Sequence, residues 1–295
     1  MSQQPLVSVI CLCYNHSNYV IEALNSVTSQ DYKAIEVIIV DDFSTDKSAI
    51  LIVDWVKNNN ATYIKNEKNL GNTTSFNKAL KLAKGDYVID FATDDVLLPN
   101  SISERVKLFY NSDYDNLGVV FSNVAYIDDT NKLLNYQYAI DNHGKAKHTP
   151  KTGFIYKELV AEYLISASSM LIKKSVLDQL HGYDESLSYE DLDFWFRSSR
   201  YFAYDYVDQV LIKKRITKNS LGKQFYLFGK NSMSNSTYKV CKKALRLNKS
   251  KDEDKALLNR IKYEIKLSLK NMDLTALFKF ISLWIRVKLS VFRKK

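Results

Sequence analysis

Glycine is absent from residues 7–20, the first strongly apolar part of this 295-residue chain, and the whole sequence has 8 glycines and 3 prolines. That excludes a glycine-rich phosphate loop near the N-terminus, the feature a nucleotidyl-transfer site would usually show. Cysteine is scarcer still. The chain has 3, which cannot all pair, and Cys11 and Cys13 stand two apart with no Cys-x-x-Cys or histidine spacing around them. Reduced thiols inside a strand are expected, not a disulfide or zinc site. The opening Met1-Ser-Gln-Gln-Pro5 lacks the basic stretch that begins a signal peptide, and the apolar run from Leu6 to Cys13 has strand length, so a cytoplasmic protein is expected. No internal repeat or low-complexity linker interrupts the chain, and a hydrophobic fraction of 46% gives no reason to expect disorder.

The last third has little negative charge. Residues 211–295 carry 23 Lys and Arg against 5 Asp and Glu, whereas residues 1–210 carry 19 against 28, so a net +18 follows a net −9 within the overall +9. The split suggests a domain with an acidic site, then a basic segment that meets phosphate, lipid or nucleic acid. A net-negative first part would repel a phosphate backbone, so nucleic acid is not expected as a partner.

Val7 to Cys13 reads as a buried strand, Ser17 to Gln30 as a helix with Val20, Ala23, Leu24 and Val27 on one face, and Ile35 to Val40 as a second buried strand. Ala49, Ile50, Ile52, Val53 and Val56 trace another helix, with Thr45 as its expected cap. A short strand from Thr62 to Lys65, a helix from Thr73 to Ala83 and a strand from Asp86 to Phe91 follow. This β-α-β-α order implies a parallel sheet with right-handed crossovers. Farther on come a helix from Ser101 to Asn111, a β-rich segment from Gly118 to Ile127, an irregular stretch over 130–155, a strand from Ser169 to Lys173 and a short helix from Ser175 to Leu180.

Three of these strands end in residues with ligand chemistry: Tyr14-Asn15, Asp41-Asp42 and Asp94-Asp95. Ligands bind at that edge of open α/β sheets, and paired Asp oxygens are hard donors suited to Mg²⁺ or Mn²⁺ carried on phosphate. Each Asp pair also suits a turn that caps the next helix, but repetition along one edge favours a shared site. A second chemical stretch is Ser188-Tyr-Glu-Asp-Leu-Asp-Phe-Trp-Phe-Arg197. Ser188 and Asp191 have the spacing of a capping box, and Asp193 can pair with Arg197 one turn on. The functional alternative puts Asp191 in the first turn beside Phe194 and Trp195, where partial desolvation raises its basicity enough to take a proton.

Taken in order, these motifs resemble the inverting glycosyltransferases of family 2, which have the GT-A fold, from about Val7 to Ser220. The first strand ends in Tyr14-Asn15, as in that family. Asp41-Asp42-Phe43-Ser44-Thr45-Asp46 is similar to the signature that holds base and ribose, and Asn69-Leu-Gly71, Asn77 and Gly85-Asp-Tyr87 fall where the family has like residues. Gly182-Tyr-Asp-Glu185, then Glu190-Asp191 and Phe194-Trp195-Phe-Arg197, resembles the segment whose Asp is the catalytic base. Three departures stand out. The common Asp-x-Asp-Asp reads Ala92-Thr-Asp94-Asp95, Phe76 replaces a frequent Arg, and Thr217 stands where the family has a histidine.

The resemblance implies a GT-A-like α/β fold with a mixed, mostly parallel sheet flanked by helices. It implies a catalytic domain over 1–220, with its nucleotide-sugar half at about 1–100 and its acceptor half at about 101–220, and a basic helical extension over 221–295. Asp191 would be the base, with Glu190 and Trp195 on the acceptor side. A nucleotide-diphosphosugar, with UDP favoured, would be held by Tyr14, Asn15, Asp41, Asp42, Ser44, Asn69, Gly71, Asn77, Asp94, Lys214 and Arg215. Mg²⁺ or Mn²⁺ would sit on Asp94 and Asp95, with Asp95 as the direct ligand. The implied reaction is hexosyl transfer with inversion to a glycan or lipid-linked glycan, in polysaccharide, lipopolysaccharide or capsule biosynthesis. The alternatives are a nucleotide-sugar-binding protein without transferase activity and a nucleotidyltransferase.

Residues 273–295 read as an amphipathic helix capped by Asp273, with Thr275, Lys279, Ser282, Arg286, Ser290 and Arg293 in one polar stripe beside a broad apolar face. Its charges interrupt it too often for a membrane span. The apolar face either docks on the protein's own core or lies on an anionic membrane with Phe278, Trp284 and Phe292 at the lipid boundary, assisted by the basic stretch from Lys239 to Lys270. The second option would place the protein peripherally on the cytoplasmic face of the cell membrane.

Overall fold

β1 (Val7–Cys13) runs parallel to β2 (Ile35–Asp41) on one side and to β4 (Tyr87–Ala92) on the other, in registers that set Cys13 opposite Asp41 and Leu12 opposite Ala92. All three are apolar runs almost wholly buried, as expected of parallel strands covered on both faces. The structure, a computed structural model, describes residues 4–217, 222, 225–229 and 232–293. β3 (Thr62–Lys65) continues the parallel run beside β2. On the other side of β4 the sheet passes antiparallel through β8 (Leu171–Lys173) to β6 (Leu117–Ile127), which pairs parallel with β9 (Ala203–Arg215). β5 (Val96–Leu97) closes the edge on β9, and β7 (Leu133–Tyr136) hangs on β6. The order is β3-β2-β1-β4-β8-β6-β9-β5, a mixed sheet of the kind the resemblance implies.

The helices show which faces the sequence revealed. α1 (Val20–Thr28) buries Val20, Ala23, Leu24 and Val27, the face read from its periodicity. α2 (Ser48–Val56) buries Ile52 and Trp55 and leaves Ile50 and Val53 exposed, because the Trp55 indole turns inward and donates to Asn25 Oδ1 at 2.8 Å. Thr45 does not cap it. Asp46 does that work, with Oδ1 accepting from Ser48 N and Oδ2 from Ser17 N, both at 2.9 Å. α3 (Asn72–Leu80), α4 (Ser101–Asn111) and α6 (Lys174–Gln179) occupy the segments expected of them to within a few residues. Gly85 is required where it stands: a Cβ there would lie 2.6 Å from both N and Oγ of Ser8. β9 and β7 were not legible as strands, since both mix charged or polar residues into their runs and the register of β9 on β6 shifts three times.

Two compact units divide the chain. The sheet and its helices form the first, over 1–153, 165–183 and 202–216; the second gathers 154–164, 184–201 and 217–295. In the second are α5 (Tyr156–Ala161), α7 (Asp191–Ser198), α8 (Ser232–Leu247), α9 (Lys251–Lys270) and α10 (Leu274–Arg293). The Asp191 segment falls in the same unit as the C-terminal helices.

Candidate functional site

The parallel pairing of β1, β2 and β4 brings Tyr14-Asn15, Asp41-Asp42 and Asp94-Asp95 to one edge of the first unit. The loops after β1 and β2 are knitted together there. Asn15, at φ 58° in the left-handed region that Asn tolerates, donates its backbone N–H to Ser44 Oγ at 2.9 Å and accepts on Oδ1 from Thr45 N at 2.8 Å. Asp41 is fully buried. Its Oδ1 accepts from Ser44 N at 3.2 Å, whereas its Oδ2 has no hydrogen-bond partner among the described residues. Asp42 is spent on structure: Oδ1 accepts from Asn66 Nδ2 and Leu70 N at 2.9 and 2.8 Å, and Oδ2 from Gly71 N at 2.9 Å. The Asn69-Leu-Gly71 turn is therefore held by Asp42, with Asn69 Oδ1 also accepting from Gly71 N at 3.1 Å. The Tyr14 and Phe43 rings are left exposed at the same edge.

Asp94 and Asp95 differ sharply in setting. Asp95 is buried and its Oδ1 accepts from Arg215 N at 2.9 Å; burial, reinforced by the neighbouring Asp94 carboxylate, pushes its carboxyl up to about 7. Lys214 pulls the other way from close by, and its Nζ donates to Ser166 Oγ at 3.4 Å. Asp94 is the more accessible of the two, with Oδ2 3.8 Å from Nε2 of His16. Among the described residues no three His, Cys, Asp or Glu side chains converge. Two protein ligands still suit Mg²⁺ or Mn²⁺, which keep waters and take substrate phosphates for the rest of their coordination.

Two more residues expected at the donor make hydrogen bonds within the protein. Arg215, expected at the diphosphate, is buried: Nε donates to Asp94 O, Nη1 to Asp128 O and Nη2 to Glu22 Oε2 at 2.9, 3.0 and 2.8 Å, with its plane over Tyr19. It is a strut that fixes the Asp94-Asp95 turn. Asn77 clamps the backbone of Tyr183, donating from Nδ2 to its O at 2.8 Å and accepting its N–H at 2.9 Å. Gly182 at φ +71° makes that possible, since a Cβ there would lie 2.4 Å from Asn77 Oδ1. Sequence reading passed over His16 and Thr93, although His16 directly follows the Tyr14-Asn15 pair.

In the second unit Asp191 begins α7, partly exposed, with Oδ1 accepting from Leu192 N at 2.6 Å. The capping box expected with Ser188 does not form, because the Ser188 backbone N–H is turned to Ser236 Oγ of α8 at 2.9 Å. The Asp193–Arg197 pair does form, at 2.7 Å. Trp195, expected on the acceptor side, is fully buried and meets Tyr163 edge-on, so it supports α7 from within; Glu190 is the N-cap residue. α8 holds this segment in place. Lys243 Nζ bridges Asp184 Oδ2 at 2.5 Å and the buried Asp193 Oδ1 at 2.6 Å, and Tyr189 Oη lies 2.6 Å from Thr237 Oγ1. Lys239 donates to Ser186 O at 2.8 Å, so part of the basic stretch serves the fold internally.

α10 uses its apolar surface twice. Ala276, Leu277, Phe280, Leu283 and Val287 are buried, and Asp273 caps the helix by accepting from Ala276 N at 3.0 Å. Leu274, Phe278, Ile281, Ile285, Leu289 and Phe292 recur at three- and four-residue steps on another face and are exposed, Phe278 to 68% and Phe292 to 76%. Trp284 is not in that row; Lys288 lies over its ring at 4.7 Å. Among the described residues no helix is long and apolar enough to cross a membrane.

Residues 8–180 match the sequence profile of Glycosyl transferase family 2, more than half of the chain. The chain belongs to glycosyltransferase family 2. Curated relatives agree. An uncharacterised glycosyltransferase of Methanocaldococcus jannaschii is 32% identical over 218 residues, covering 72% of this chain and 71% of its own length. One of Rickettsia typhi is 30% identical over 213 residues, covering 72% of this chain and 64% of its own. A putative colanic acid biosynthesis glycosyl transferase of Escherichia coli is 33% identical over 135 residues, 42% of this chain and 48% of that protein. Among solved structures, TarS 1–349 of S. aureus with UDP-GlcNAc matches 98% of this chain and 92% of its own at TM-score 0.65 and 17% identity. The mannosyltransferase PcManGT of Pyrobaculum calidifontis, with GDP-Man and Mn²⁺, matches 96% of this chain and 74% of its own at TM-score 0.65 and 19% identity. At those identities the likeness establishes the fold, which is GT-A in kind as the motifs implied.

Proposed function

We propose that this family 2 member transfers a sugar, of hexose type, from a nucleotide-diphosphosugar to an acceptor hydroxyl with inversion. The observation that carries the reading is the sheet edge where exposed Tyr14, the half-satisfied Asp41 carboxylate and the Asp94-Asp95 pair stand at adjacent strand ends. A buried carboxylate oxygen without a donor costs about 1–3 kcal/mol or more, so Asp41 Oδ2 is poised for a base N–H. Uracil offers one, which favours a UDP-sugar, with Tyr14 stacking on the ring. Asp42 shapes the wall through the 66–71 loop instead of touching the nucleotide.

Asp191 takes the acceptor proton as the hydroxyl attacks from the face opposite the nucleotide, in a single in-line displacement, with Glu190 on the acceptor side. Lys214 adds positive charge where the diphosphate leaves. A divalent ion, Mg²⁺ or Mn²⁺, held at Asp94 and Asp95 supplies Lewis-acid stabilisation of that leaving group. The donor complexes of the two solved relatives support the donor class, and the name of the E. coli relative supports a glycan or lipid-linked glycan acceptor in surface-polysaccharide assembly. The test is a panel of nucleotide-sugars with Mn²⁺, read by melting temperature and by nucleoside diphosphate release. The cognate donor at about 100 times its Kd adds about 2.7 kcal/mol. Binding without release would favour a nucleotide-sugar-binding protein, conversion to nucleoside triphosphate and sugar 1-phosphate on adding pyrophosphate a nucleotidyltransferase, and no binding at all would overturn the reading.

The outer row of α10 is the second element of the proposal: it lies on the cytoplasmic face of an anionic membrane, close to a lipid-linked acceptor. Its support is an apolar row left exposed after the docked face is satisfied, flanked by exposed Arg286 and Lys288 and followed by further cations. Deleting residues 273–295 would also remove the docked face, so the discriminating variant is Phe278→Glu with Ile285→Glu and Phe292→Glu. It should fold, and release the protein from anionic vesicles that retain the wild type. Equal retention of both would refute the placement.

A further inference from the structure

His16 belongs to none of the motifs that assign the donor site, yet its ring reaches the β4 tip. Its backbone N–H donates to Ser48 Oγ at 2.9 Å, which anchors the main chain. Its Nδ1 lies 2.9 Å from Thr93 Oγ1, and its Nε2 lies 3.8 Å from Asp94 Oδ2. Thr93 Oγ1 also lies 3.1 Å from Leu12 O, which ties the hydroxyl to the end of β1. With Nδ1 engaged by Thr93, Nε2 is the ring nitrogen that faces the Asp94 carboxylate. No hydrogen bond closes that gap, since a charge-assisted N–H···O bond spans about 2.7–2.9 Å. Two ligand bonds of about 2.0–2.2 Å to one shared ion do reach across it.

We propose that His16 Nε2 and Asp94 Oδ2 are protein ligands of one divalent cation. The inference rests on the nucleotide-diphosphosugar reading and gives the site a nitrogen donor although Thr217 stands where the family has a histidine. Thr93 is then a positioning residue that holds the ring's orientation, as partners of metal-bound imidazoles do. A nitrogen ligand also turns preference away from Mg²⁺, which takes oxygen donors, and toward Mn²⁺.

The test uses the full chain with Mn²⁺ and UDP, read by electron spin-echo envelope modulation. The Mn²⁺·UDP complex should show directly bound ¹⁴N that converts on ¹⁵N-histidine labelling and vanishes in His16→Ala, with Mn²⁺ affinity down at least about tenfold. Thr93→Val should weaken Mn²⁺ by about 10–100-fold, the usual cost of losing a partner of a metal-bound imidazole. If His16→Ala does not fold, labelling of the wild type still decides whether a histidine nitrogen is bound. Mn²⁺·UDP bound with no nitrogen modulation, or with modulation that survives His16→Ala, overturns His16 as a ligand and leaves the donor reading intact. Failure of Mn²⁺·UDP to bind at all overturns both.

Discussion

Lys243→Met tests how the Asp191 segment is held. Lys243 is bonded to Asp184 and Asp193, and methionine keeps the apolar stem while removing the charge. Asp193 is 1% exposed and, among the described residues, retains Arg197 as its ion-pair partner, at 2.7 Å on its other oxygen. Stripping one partner from a buried pair costs about 3–5 kcal/mol, and the remaining Arg197 lowers that to about 2–3. At Asp184 burial pushes the carboxyl up, but bonds from Lys243 and Ser186 outweigh it and hold it at about 2. This carboxyl is half-exposed, so its share is at most about 1 kcal/mol. The expected loss of about 3 kcal/mol lowers Tm by roughly 6–10 °C at pH 7. A depressed carboxyl stabilises the fold above its unfolded value, near 4, and that contribution fades as pH falls through about 2. The gap between variant and wild type should therefore narrow in acid by the Asp184 share, and neutralising the buried charge with Asp193→Asn should recover part of the loss at pH 7. A variant that melts within a degree of wild type at pH 7, or that keeps its full deficit at pH 2, would refute the account.

Chelation with EDTA should abolish transfer and added Mn²⁺ should restore it; full activity in excess EDTA would remove the metal from the site. Asp95→Ala should cost more than Asp94→Ala, since Asp95 also fixes the Arg215 backbone; an equal or opposite ranking by initial rate would count against that assignment. Burial pushes the Glu264 carboxyl in α9 up to about 7, against the pull of Arg260, so its stabilising share is present below about 4.5 and lost as pH rises to 7. Glu264→Gln should accordingly gain about 1–3 kcal/mol over wild type at pH 8 and nothing at pH 4.5, measured by urea unfolding; the same gain at both would contradict it.

What was legible in the chain followed from local pattern. β1, β2 and β4 announce themselves as short apolar runs, and the Asp pairs at their ends come to one edge because parallel strands share direction. The periodicity of α1 named its buried face correctly. Long-range partners were hidden. The bonds of Arg215 to Asp94, Asp128 and Glu22, and those of Asp42 to the 66–71 loop, join residues far apart in the chain, which no local pattern reveals. The role of α8 in fastening the Asp191 segment comes from residues some 50 positions away, such as Lys243 and Asp193. α10 was read as one broad apolar face, whereas packing divides it into a docked row and an exposed one.

The most direct measurement of the central claim is nucleoside diphosphate release from the cognate nucleotide-sugar by wild type and Asp191→Asn, with donor affinity measured alongside. A general base contributes about 10²–10⁴-fold, so transfer should fall by that factor while donor Kd and Tm stay where they were. Near-normal turnover by Asp191→Asn, or no nucleoside diphosphate released from any donor by the wild type, would contradict it.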